Sequence, residues 1–388
     1  MEISNWPTFD QEQISEAIKV LSSGKVNYWT GDKTKTFERE FESYIGGKNA
    51  IAVSNGTLAL NAAYKALDIG PGDEVITTPR TFIATSASLA LIGGIPVFAD
   101  VDINSGNIKK SSIEPLINKS TKAISVVHLA GWPVEMNEIC KLAKNYNLKV
   151  IEDCSQAHGA KINNQHVGSF GDISTWSFCQ DKIMTTGGEG GMIMTKDEDL
   201  YNKMWSLKDH GKTKKAIEKK KNVIGFKWLH EKFGSNFRLT ELQSAIGLCQ
   251  LKKLNGWNKT RTNNALFLYN ELFQLSSLRI PLPPKELNHA WYKFYVYLKP
   301  HSLKSDWSRQ RIITELNNIG MPVGSGSCSE IYLEKCFQDA GYFPMKRLEN
   351  ARKLGETSLM FLVDPSITEQ NLSIYAEEIK KILKKATR

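Results

Sequence analysis

Apolar positions along the chain fall at two spacings, and the two alternate in a regular order. Residues 11–22 carry Ile14, Ala17, Ile18 and Leu21 at helical spacing and stop before Gly24. An extended stretch from Asn27 then leads into a helix with Phe37, Phe41 and Tyr44 on one face. Ile51-Ala52-Val53 predicts a short strand. The alanine-rich run 58–67 predicts a helix that Gly70-Pro71-Gly72 stops. From Glu74 the pattern repeats: strand 74–79, helix 82–94, strand 95–102, a helix around Ser112–Ile117, strand 123–129, helix 136–147 and strand 148–153. Strands alternating with helices at this spacing predict right-handed βαβ crossovers, hence a mostly parallel sheet covered on both faces.

Two further strands, 174–180 and 191–196, flank a lysine and a glycine-rich turn. Stretch 222–237 fits neither period and reads as an interface-forming or mobile loop, rich in Lys, Trp, Phe and Gly. Thr240 and Gln243 form a capping box ahead of a helix whose apolar face (Leu239, Leu242, Ile246, Cys249) runs to about Leu254. The domain boundary is placed in or just after that helix, giving a large domain over 1–250 and a smaller C-terminal α+β domain over 251–388. The second domain carries strands at 279–283 and 291–299, a helix over 308–320 and a terminal helix from Thr368. No internal repeat or low-complexity segment interrupts this order.

Composition narrows the class. A chain of 388 residues can bury a sizeable core in two or three domains. The formal charge of +9 is concentrated in 212–221 and 380–388, runs without interleaved aromatics. They read as solvated surface rather than a nucleic-acid site, though a basic surface attracts small anionic substrates. The 6 cysteines show no metal-ligand spacing and fit reduced thiols of a cytosolic protein. The N-terminus lacks a basic segment followed by an apolar one, and no apolar run reaches membrane-spanning length. A cytoplasmic chain without membrane contact is expected.

The chemistry is concentrated in residues 150–195. An apolar run ends at Asp153, and Lys182 precedes Gly187-Gly188-Glu189-Gly190-Gly191. Ligands of open α/β sheets gather beyond the carboxyl ends of strands. An acid there and a lysine beside a glycine turn are what pyridoxal 5'-phosphate (PLP) needs: an amine to condense with its aldehyde and a carboxylate to keep its ring nitrogen protonated. Taken singly, a strand-end Asp is commonly a cap and a lysine a surface charge, so the weight rests on the combination. Ser54-Asn55-Gly56-Thr57 opens a helix, where free N–H groups form either a phosphate cradle or an ordinary cap. Ser177 offers a second phosphate donor. Phe82 follows a strand end and is either a ring-stacking group or core. Gln156 is placed to contact the cofactor, and His158 either positions Asp153 or is structural. No GxSxG elbow, early GxGxxG or metal-ligand cluster supports a hydrolase, a Rossmann dehydrogenase or a metal site.

The ordered set TGDKTKTFEREF, SNGTLAL, GPGDEVITTPRTFIAT, PVFADVD, VHLAGWPVEM, VIEDCSQAHGA, VGSFGDISTWSF, DKIMTTGGEGG and NFRLTELQSAIG, with GMPVGSGSCSEIYLEKCF more loosely, covers nearly the whole chain. It resembles the DegT/DnrJ/EryC1/StrS family, PLP-dependent sugar aminotransferases of fold type I. The resemblance implies a homodimer with shared active sites. It makes Lys182 the Schiff-base lysine and proton carrier and Asp153 the partner of the pyridine nitrogen. Phe82 and Gln156 become ring contacts, and Gly56, Thr57 and Ser177 phosphate ligands. Asn236 would reach the phosphate in the neighbouring subunit. It implies L-glutamate as amino donor and a nucleotide-linked keto sugar as acceptor, for surface polysaccharide or glycan biosynthesis such as O-antigen. A branch with histidine in place of this lysine dehydrates instead; Lys182 favours transamination over that lyase reading and over a non-catalytic regulatory one. The TTGGEGG turn resembles enzymes acting at C4 of 4-keto-6-deoxy sugars, a UDP-linked 2-acetamido sugar among them. Cys179-Gln180-Asp181 departs from the family's usual residues and bears on the substrate.

Overall fold

Short apolar runs bounded by turn residues form the strands of one sheet: β1 (Ala50–Val53), β2 (Glu74–Thr77), β3 (Ile95–Phe98), β4 (Thr121–Val127), β5 (Lys149–Asp153), β6 (Ile173–Ser177) and β7 (Gly191–Thr195). Their order in this 7-stranded sheet is β1-β7-β6-β5-β4-β2-β3. β7 runs antiparallel to both its neighbours, and the other strands all point one way. The computed structural model describes residues 3–222 and 224–388; Met1, Glu2 and Val223, the last within the 222–237 stretch, lie outside them.

Helices α1 (Gln11–Ser23), α2 (Lys33–Ile45), α3 (Gly56–Ala66), α4 (Ala84–Ala90), α5 (Met136–Asn145) and α6 (Glu198–Lys208) supply the layers over the sheet. Strand residues are buried on both faces, as a doubly covered parallel sheet requires. One core holds Phe37, Phe41, Ile124, Trp176 and Phe178, and another holds Ile51, Tyr64, Ile151 and Ile193. Around Ser112–Ile117 there is only a helical turn, Lys110–Ile113, running into the 3-10 turn Glu114–Leu116. Pro115 there has no N–H to continue a helix.

Helix α7 (Glu241–Leu272) extends well past Leu254. Its capping box is present, with Thr240 accepting from Gln243 N–H. The stretch 255–264 is polar enough to hide the period, yet Arg261 and Asn264 are buried and Ala265, Leu268 and Leu272 resume the apolar face in a further core. A boundary at 250/251 falls inside this helix. That further core also takes in Ile3, and Ser4 Oγ donates to Asp364 Oδ2 at 2.7 Å, so the start of the chain packs with its end.

The C-terminal layer has β8 (Leu278–Arg279), β9 (Phe294–Leu298), β10 (Val323–Gly324) and β11 (Ser358–Phe361) in the order β8-β9-β11-β10. Helices α8 (Arg309–Asn318) and α9 (Glu369–Ala386) cover it. Strand β9 starts at Phe294 rather than Trp291, because Trp291 holds φ 49° and breaks the extended run. No helix of the described residues is long and apolar enough to cross a membrane.

Candidate active site

The carboxyl ends of β1, β2, β5 and β6 point to the same side of the sheet, and β7 starts there, with Gly191 paired to both Val53 and Ser177. Loops leaving these ends enclose a cavity of about 290 Å³. Gly56, Thr57, Phe82, Asp153, Gln156, Ser177 and Lys182 all line it, so the local signals read from sequence converge in space. Asn236 does not join them. It is exposed, in a backbone bridge with Asp209, and outside this lining.

Asp153 ends β5 and is buried. Its Oδ2 accepts from Thr85 Oγ1 at 2.9 Å, and its Oδ1 accepts from Ser155 N–H at 3.1 Å. The carboxylate is therefore oriented from both sides. Beneath it, Glu152 faces the opposite side of the strand and accepts from the N–H groups of Gly168, Phe170 and Gly171 and from His128 Nε2. His128 Nδ1 in turn accepts from Val134 N–H. These bonds occupy the atoms that His128 and Glu152 would offer a metal alongside Cys154, so the trio works as a structural node.

At the start of α3, Asn55 caps Leu58 N–H at 2.9 Å. Gly56 lies so close to Ser177 that a Cβ on it would sit 2.7 Å from Ser177 Cβ. The missing side chain lets the helix N-terminus and the Ser177 hydroxyl share one wall, an arrangement suited to a phosphate. Gln156 Oε1 accepts from Ala130 N–H at 2.8 Å, which fixes the side-chain amide at the cavity wall. Phe82 is 67% exposed at the cavity, where a flat ring can stack on it.

Lys182 follows β6 on the turn back to β7. Gly188 in this turn holds φ 118°, which favours glycine. Trp6 Nε1 donates to Lys182 O at 2.9 Å and ties the turn to the N-terminal segment. The amine lies 3.4 Å from Tyr292 Oη and 3.5 Å from Asp181 Oδ1, and Tyr292 also donates to Asp181. His158 packs between Trp176 and Phe178. Among the described residues no hydrogen bond joins it to Asp153, and burial pushes its imidazole down to about 3, so it stays neutral.

Sequence reasoning did not single out Thr85 or Tyr292, and it noted Asp181 only as a departure. Thr85 had a signal, since it sits three residues after Phe82 beyond the same strand end. Tyr292 had none. Together the amine, the buried carboxylate, the aromatic face and the phosphate-sized wall fit PLP, and the cavity leaves space for it.

A profile of the DegT/DnrJ/EryC1/StrS aminotransferase family matches residues 7–380. The fold is similar to the X-ray structure of an aminotransferase from Psychrobacter cryohalolentis, with TM-score 0.96 and 49% identity over 99% of each chain. It is also similar to NtdA of Bacillus subtilis, solved with bound cofactor PMP, at TM-score 0.83 and 28% identity over 99% of this chain and 86% of that one. A curated relative, the dTDP-3-amino-3,6-dideoxy-alpha-D-galactopyranose transaminase of Aneurinibacillus thermoaerophilus, is 40% identical over 290 residues, 74% of this chain and 76% of its own.

Proposed function

The chain belongs to the DegT/DnrJ/EryC1/StrS aminotransferase family, and from that premise we propose that it moves an amino group from L-glutamate to a keto carbon of a nucleotide-linked sugar. The cofactor is PLP, which when bound would supply the electron sink that takes up the electron pair left as a Cα proton departs. Lys182 would anchor it and, once freed, take a proton from the donor carbon and return one to the acceptor carbon. Asp153, held by Thr85 and Ser155, would pair with the ring nitrogen. Phe82 would cover one ring face and Gln156 would contact the cofactor. Thr57, Ser177 and the N–H groups opening α3 at Gly56 would hold the phosphate.

The observation that carries this reading is the convergence of Lys182, Asp153 and the α3 N-terminus on one cavity. A homodimer with shared sites fits the exposed Phe226, Trp228 and Phe233 of the 222–237 stretch, from which Asn236 would reach the neighbouring copy's phosphate. The acceptor position we propose is C4 of a 4-keto-6-deoxy sugar, supported by the Thr185–Gly191 turn, and the setting is surface-glycan biosynthesis in the cytoplasm. The Aneurinibacillus relative is named for a 3-amino product, so 3-keto sugars belong in the same assay.

The test uses protein loaded with PLP. Addition of L-glutamate should convert the visible band to the pyridoxamine absorbance, and a nucleotide-linked 4-keto sugar should restore it. Restoration by 3-keto sugars alone would move the amination to C3. Bleaching that no keto sugar reverses would sink the acceptor class, and no response to glutamate would return the lyase and regulatory readings.

A further inference from the structure

Tyr292 comes to Lys182 from a distant part of the chain, and its approach is fixed at several points. Ala290 N–H donates to Gly131 O and Tyr292 N–H to Ala130 O, both at 2.9 Å. Ala130 N–H is the donor that holds Gln156. Ala130 and Trp291 are buried and hold φ of 55° and 49°, left-handed values that non-glycine residues adopt at a cost. A bend stabilised against that cost delivers the Tyr292 hydroxyl to the lysine.

The hydrogen bonding around the three groups is directional. Tyr292 has a single hydroxyl proton and donates it to Asp181 Oδ2, so its oxygen can only accept from Lys182 Nζ, 3.4 Å away. Asp181 Oδ1 lies 3.5 Å from the same nitrogen. Burial and the neighbouring carboxylate hold the Tyr292 hydroxyl well above the ordinary phenol range. Burial pushes the Asp181 carboxyl up, but Lys182, the Tyr292 hydroxyl and Lys293 outweigh it and the net shift is down. A neutral phenol and an ionised carboxylate thus flank the amine. Lys293 Nζ lies over the Tyr292 ring at 4.9 Å, Arg261 donates to Tyr292 O at 3.5 Å, His158 is neutral, and Glu189 and Asp153 line the same cavity.

We propose that Tyr292 and Asp181 form a positioning pair for Lys182: the hydroxyl fixes where the freed amine points, and the carboxylate, 3.5 Å from the nitrogen, pairs with its ammonium form. An amine that donates one N–H to Tyr292 still has its lone pair to aim at a substrate carbon. The proposal rests on Lys182 being the proton carrier of the transamination. It also gives a physical role to the aspartate next to the lysine.

Three variants test the pair. In full-length protein freed of cofactor, the pH dependence of Lys182 acylation by acetic anhydride is read by peptide mass spectrometry. Asp181→Asn should lower the midpoint, since it removes a carboxylate that faces the ammonium at 3.5 Å. In protein loaded with PLP, the pH at which the visible band changes form should move in the same direction. Tyr292→Phe should lower kcat about 10- to 100-fold, the loss of one hydrogen bond to a charged group, with KM for L-glutamate changed by less than about 3-fold. Asp181→Glu should restore part of the midpoint, which general damage to the fold would not do. An acylation midpoint unmoved in Asp181→Asn, or wild-type kcat in Tyr292→Phe, would overturn the proposal. The acylation readout needs neither cofactor nor sugar, so a shifted midpoint in a protein that never transaminates would count against the assigned reaction and not against the pair.

Discussion

Thr85 Oγ1 donates to Asp153 Oδ2 at 2.9 Å in a fully buried bond, and Thr85 stands at the second position of α4, just after the loop that carries Phe82. The group that would face the ring of PLP and the group that would pair with its nitrogen are therefore aligned by one short segment. Thr85→Val keeps the shape and removes the donor. A lost hydrogen bond to a carboxylate costs about 1.5–3 kcal/mol. PLP affinity should fall by about 10- to 100-fold with the fold unchanged, measured by titrating the visible band, and wild-type affinity would refute the alignment. Asp153→Ala should lose both affinity and rate; an unchanged rate would assign ring protonation to another group.

Lys182→Ala should abolish transamination and the visible band together. Its amine touches only Asp181 and Tyr292 among the described residues' polar contacts, so circular dichroism and Tm should stay near wild type. Turnover in this variant would remove the lysine from the chemistry.

Gly56→Ala would press a methyl to 2.7 Å from Ser177 Cβ and 3.2 Å from its Cα, so one wall of the cavity must move. Overpacking of this kind costs about 1–3 kcal/mol. We expect a lower Tm and, in a titration with PLP, weaker binding; undisturbed affinity would place the phosphate elsewhere.

His158 gives a pH dependence with a definite sign. Its imidazole falls from 6.5 unfolded to about 3 folded, so between those values the unfolded chain binds more protons and stability rises with pH. The stabilisation is present above 6.5 and lost as pH falls toward 3. Thermal melts of wild type and His158→Leu across this range should diverge as the pH drops, with wild type losing more. Parallel curves would show that the imidazole takes up its proton without unfolding.

The parts of the site legible in sequence are those that a strand end or a helix start places by itself. Asp153, Ser177 and Gly56 each sit where an apolar run stops, and the topology brings those stops together. The direction of β7 was not legible, because a short buried run has the same apolar pattern whichever way it points. The length of α7 was hidden by Asn255, Asn258, Thr260 and Asn263, polar residues on a helix whose buried side includes Arg261 and Asn264. Asp181 and Tyr292 are separated by 111 positions, and nothing in either's surroundings names the other. Glu152 read as one letter of a strand, yet it fastens three backbone N–H groups and a histidine under the catalytic face.

Helix α7 has a mechanical meaning as well. Its 32 residues make a rod of about 48 Å, without a proline, whose first half packs on α1 and α2 and whose second half lies in the C-terminal core. A rod gripped at both ends resists flexing, so a hinge between the two halves of the chain would have to break helical hydrogen bonds to open. Opening the site around Lys182 by bending at this helix would therefore cost helical hydrogen bonds.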